Sequence, residues 1–104
     1  MLYDEFVEYL QTNAKRTLDL FLEKATEYQN EKNNGRSGKA KWPEAKVARA
    51  VEDMYNQLLT NTYEKIKMVK PVAKYNGYQI WVEFLEQSEF FELFSDSIAE
   101  MEFE

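Results

Sequence analysis

The chain has 104 residues, 44% of them hydrophobic and 31% charged, a net charge of −6, and neither cysteine nor histidine. That length fits one domain spanning 1–104, with a core large enough to fold on but a modest stability margin. Without those two residue types there are no disulfides, thiolate nucleophiles, Cys/His zinc sites, serine triads or histidine acid–base catalysts, so any enzyme would have to work with carboxylates, lysine or tyrosine.

No apolar run approaches the roughly 20 residues that a membrane helix needs. The opening Met1-Leu2-Tyr3-Asp4-Glu5 lacks the basic and apolar regions of a signal peptide. Cytoplasmic residence is therefore expected, with no membrane partner. Three glycines and two prolines suit a folded, mostly helical chain.

The charge is unevenly distributed. Residues 1–31 carry a net −4, residues 32–74 a net +6 and residues 75–104 a net −8, the last third holding eight carboxylates and no cation. Either the basic middle neutralises the acidic ends internally, or the acidic third faces a basic partner.

In chain order, Asp4 is placed to cap a first helix, with Glu5 and Glu8 behind it. Leu2, Phe6, Leu10, Ala14, Leu18, Phe21, Ala25 and Tyr28 recur at spacings of three and four. The pattern predicts one long helix to about Glu31, open to a bend at Thr12-Asn13, whose side chains compete for backbone hydrogen bonds. Residues 33–39 read as a polar loop. Trp42-Pro43 opens the next helix, with proline at its first position. Its core stripe is Val47, Val51, Met54, Leu58, Thr62, Ile66 and Val69, flanked by Ala50, Tyr55 and Leu59. Pro71 ends it. Two helices of similar length favour an antiparallel pair.

Residues 72–86 admit two readings. Asn76-Gly77 followed by alternating Tyr78, Ile80, Val82 and Phe84 signals a β-hairpin. A helix capped at Asn76 aligns Trp81, Phe84 and Leu85 and is favoured, because a lone hairpin is marginal in water. Ser88 then caps a final helix with Phe90, Phe94, Ile98 and Met101 on one face, widened by Phe91 and Leu93. The expected fold is all-α: a small antiparallel bundle of three to four helices, with the short hairpin as the alternative.

The candidate site lies in the last third. Glu83, Glu86, Glu89 and Glu92 stand three residues apart, followed by Asp96 and Glu100. Pairs of the form E-x-x-E bind Mg²⁺ or Mn²⁺ in several helical enzymes, but on one helix a three-residue spacing drifts by about 60° per step, so four glutamates spiral instead of forming a ligand wall. A carboxylate-based Mg²⁺/Mn²⁺ hydrolase is thus an alternative, and no cofactor is expected. Trp81 and Phe103 are expected to stay exposed, Trp81 as an aromatic anchor among the carboxylates. Arg36, Lys39, Lys41, Lys46 and Arg49 around Trp42 make a basic patch too short for direct nucleic-acid binding by a chain this acidic.

The expected function is non-enzymatic: a protein-binding module that engages a basic partner, such as a nuclease or another DNA-binding protein, through Trp81, Glu83, Glu86, Glu89, Glu92, Asp96 and Glu100. Phage or plasmid inhibitors and immunity proteins, which place carboxylates where phosphates would lie, are the analogous class. A small structural subunit or a homodimer is the other binding-class option.

Overall fold

The computed structural model describes residues 1–71 and 76–103. Five α-helices appear among them: α1 (Tyr3–Asn13), α2 (Lys15–Asn34), α3 (Glu44–Val69), α4 (Gly77–Gln87) and α5 (Phe90–Glu100), with a short 3₁₀ turn at Gly38–Ala40. No strand occurs among the described residues. The bundle is elongated, 56 × 24 × 22 Å.

The expected count of three to four helices becomes five because the long first helix divides in two, while the break expected at Ser88 occurs with a different geometry. The first break is at Ala14, which leaves the helical region at φ −128°, ψ 32°. Its cause is the adjacent Asn13, whose side-chain amide donates to the Tyr9 carbonyl at 3.0 Å. That oxygen is the acceptor the Asn13 backbone N–H would use in a continuous helix. The predicted bend site is therefore correct, and it yields two helices. Nor does Asp4 cap the first of them. Leu2 holds the cap position in extended backbone, and its N–H donates to Glu5 Oε1 at 2.9 Å.

The second break is at Ser88-Glu89. Ser88 closes α4 by donating its N–H to the Phe84 carbonyl at 3.0 Å, so it does not cap α5. Glu89 takes that place in the left-handed region, φ 59°. The hairpin is also set aside, because Gly77 to Gln87 are helical, led by Asn76 at φ 55°. The first strand it would have needed, residues 72–75, lies outside the described residues.

α2 and α3 run antiparallel. Asn33 clamps their connection, its side-chain amide donating to the Trp42 carbonyl at 3.0 Å and accepting from the Trp42 N–H at 2.8 Å. α2 extends to Asn34, past the predicted loop start, and Pro43 precedes α3 as its extended cap instead of forming its first turn. At the far end Tyr63 Oη donates to the Met1 carbonyl at 2.8 Å. The buried face of α3 is Val47, Val51, Leu59, Tyr63 and Ile66. Its second half is rotated from the predicted stripe toward Tyr63, and Val69 is left exposed.

That rotation serves an aromatic cluster. Trp81, expected at the surface, is fully buried between α1 and α3. Its ring centroid lies 5.2 Å from that of Tyr63 and 6.1 Å from that of Phe6. Burying three rings together outweighs leaving the largest apolar side chain in water. Phe103 is only partly exposed and packs on Phe21 and Tyr28 at 5.8 and 5.2 Å.

α5 packs against α2, and Lys24 of α2 caps its C-terminal end. Lys24 Nζ donates to the carbonyls of Ile98, Ala99 and Met101 at 2.9, 2.7 and 3.0 Å. The ammonium thus satisfies carbonyls at a helix C-terminus and meets the negative end of its dipole.

Burial pushes the phenols of Tyr9 and Tyr63 above their ordinary value of 10.0, helped by Glu86 for Tyr9 and by Glu64 and Glu5 for Tyr63. In the unfolded chain both protons leave more readily. The contribution of these two groups to stability is therefore fully present below pH 10.0 and is lost as pH rises beyond it. Denaturation of the Tyr9→Phe/Tyr63→Phe double variant across that range should show a shallower alkaline decline than the parent. An unchanged decline would remove both residues as its source.

Candidate partner-binding surface

The seven described carboxylates of the last third occupy outward positions on two helices and their ends. Glu83 and Glu86 lie on α4, Glu89 sits at the α4–α5 junction, Glu92, Asp96 and Glu100 lie on α5, and Glu102 follows it. All seven are exposed. The left-handed turn at Glu89 divides the three-residue series between two helix axes, so it is not the single spiral that the spacing predicts. Glu86 is on the α1 side, close enough to Tyr9 to act on its phenol.

None of these carboxylates has an ion-pair partner among the described residues. The single salt bridge there joins Lys15 to Asp19 at 2.9 Å, within α2. Among the described residues, Gln79, which donates to Glu83 at 3.3 Å, is the sole side-chain hydrogen-bond partner within the acidic set. The internal neutralisation allowed by the charge pattern is thus not made by direct ion pairs among the described residues. Several cations of the middle segment lie over rings instead: Arg36 and Lys46 over Trp42 at 3.8 and 4.6 Å, Lys67 over Tyr63 at 6.0 Å and Lys70 over Phe84 at 5.9 Å. Such contacts can be formed without desolvating a carboxylate.

The site also differs from expectation in its aromatic component. Trp81 is separated from the carboxylates of its own helix, being 0% exposed, and cannot anchor a partner without unfolding α4. Its indole N–H has no hydrogen-bond partner among the described residues, a buried donor enclosed by rings. The exposed aromatic of this region is Tyr78, whose ring meets Tyr9 edge-on at 6.4 Å. Among the described residues no three acidic side chains gather closely enough to hold a metal ion.

An apolar cleft of about 360 Å³ opens between α3, α4 and α5. Ile66, Val69, Phe84, Phe90, Leu93 and Phe94 line it, with Lys65 on the α3 side. Val69 and Leu93 at its edges are 71% and 62% exposed, and the neighbouring Met68 is 84% exposed. Sequence reasoning missed this surface by assigning Val69 and Leu93 to core stripes. The available signal was the adjacent pair Met68-Val69, which is wider than the one stripe α3 buries. No family model, curated protein or solved structure matches this chain.

Proposed function

We propose that the chain is a non-catalytic protein-binding domain of the acidic inhibitor or immunity type, which engages a basic, nucleic-acid-handling protein through the outward faces of α4 and α5. The observation that carries this reading is the unpaired acidic surface: seven exposed carboxylates in the last third with no ion pair among the described residues. Carboxylates already held in water and left uncompensated attract a cationic surface from a distance and speed its arrival. Glu83, Glu86, Glu89 and Glu92 would stand in for phosphates, with Asp96 and Glu100 extending the same charge along α5. Trp81 acts in this scheme by positioning α4, and Tyr78 supplies the exposed ring.

The test is capture of a basic protein by the immobilised domain, compared with a Glu86→Lys/Glu89→Lys/Glu92→Lys variant. All three side chains are exposed, so the variant should keep its helicity by circular dichroism and lose capture. Capture by the parent should weaken with added salt, as screening shortens the reach of the field. Nucleic acid should compete for the same partner. A helical triple variant that still captures the partner would sink the proposal.

A further inference from the structure

We infer that the cleft between α3, α4 and α5 is a self-association surface, occupied by a second copy of this chain across a two-fold axis. Three of the largest exposed apolar side chains of the described surface, Met68, Val69 and Leu93, lie at or beside this cleft. Contiguous apolar surface of that kind marks an interface. What selects a second copy is the charge on either edge. On the α3 edge Lys65 lines the cleft, four residues before Val69 and on the same helix face. On the α5 edge Asp96 and Glu100 stand three and seven residues beyond Leu93, again on its face. All three charged groups are exposed, and none is ion-paired among the described residues.

A two-fold interface requires a patch that complements itself. Here Leu93 of each copy enters the cleft of the other, and Lys65 of each copy meets Asp96 and Glu100 of the other. A uniformly basic partner would instead place its cations against Lys65. The surface shares Asp96 and Glu100 with the proposed partner-binding face but not Glu86, Glu89 or Glu92, so Leu93→Asp and Lys65→Glu test self-association while the Glu86/Glu89/Glu92 triple variant tests partner capture separately.

The experiment is analytical ultracentrifugation over a concentration series. The parent chain should show a concentration-dependent dimer. Leu93→Asp, at a position already in water, should stay folded and monomeric. Lys65→Glu alone places like charges across the axis, as does Asp96→Lys/Glu100→Lys alone, and each should weaken the dimer by about tenfold or more. Mixed together, the two variants should form a heterodimer, because the reversed charge at position 65 of one copy then meets the reversed charges at 96 and 100 of the other, while the second contact keeps its native polarity. A parent chain that remains monomeric throughout, even if it binds a basic amphipathic peptide, would overturn the inference. Charge variants that dimerise as the parent does, or that fail to recover on mixing, would also overturn it.

Discussion

Replacing Trp81 with alanine should destabilise the domain by about 3–5 kcal/mol, the range for deleting a large buried aromatic. The side chain is fully buried, and its ring is shared between Phe6 of α1 and Tyr63 of α3, so its loss opens a void where three helices meet. For a domain of about this size each kcal/mol shifts the melting temperature by about 4–8 °C. Trp81→Ala should therefore melt about 12 °C lower or more, a loss comparable with the whole stability of a small domain. Trp81→Phe should be far milder. It breaks no hydrogen bond among the described residues, where the indole N–H has no partner. Removing an unsatisfied buried donor recovers about 1–3 kcal/mol of desolvation against the lost packing. Thermal and urea denaturation of both variants provide the check. Equal losses in the two would show that the N–H has an energetic role the geometry does not reveal.

Lys24→Met should cost about 2 kcal/mol, near the lower part of the range for hydrogen bonds to a charged group. Methionine keeps the apolar stem and removes only the ammonium, which takes the Lys24 donor from the carbonyls of Ile98, Ala99 and Met101, of which Ile98 keeps the Met101 N–H. The damage should be local. Amides in the last turn of α5 should exchange faster, while those of α1 and α3 should be affected only through global stability. Because the acceptors are carbonyls and not carboxylates, salt should change this contribution little. A loss that disappeared in moderate salt would point instead to a charge pair.

Much of the helical framework was legible because its signals are local. The apolar repeats from Phe6 to Ala25 and from Val47 to Ile66 locate three helices, and Thr12-Asn13 locates the first break through side-chain competition. The start of the last helix was legible from Ser88, but its geometry was not. A glutamate in the left-handed region has no sequence signature comparable to glycine or asparagine, so Ser88 looked like a cap. Trp81 was misread for a different reason. Its neighbours in sequence are polar or acidic on one side, but its burial is decided by Phe6 and Tyr63, which are remote in sequence. The acidic surface was visible as composition, whereas its lack of ion pairs depended on where the cations settled. Arg36 and Lys46 on Trp42 could not be read from spacing alone.

The two tryptophans report on different parts of the molecule. Trp42 is half-buried under two cations at the α2–α3 connection, and Trp81 is enclosed in the ring cluster beside Tyr63. Trp42 and Tyr63 are separated by 21 positions, nearly all within α3, which corresponds to about 30 Å along its axis. The folded chain therefore carries one optical probe with access to solvent and another shielded from it, at opposite ends of its longest helix. Collisional quenchers and emission wavelength can distinguish loosening of the loop end from opening of the core without any added label.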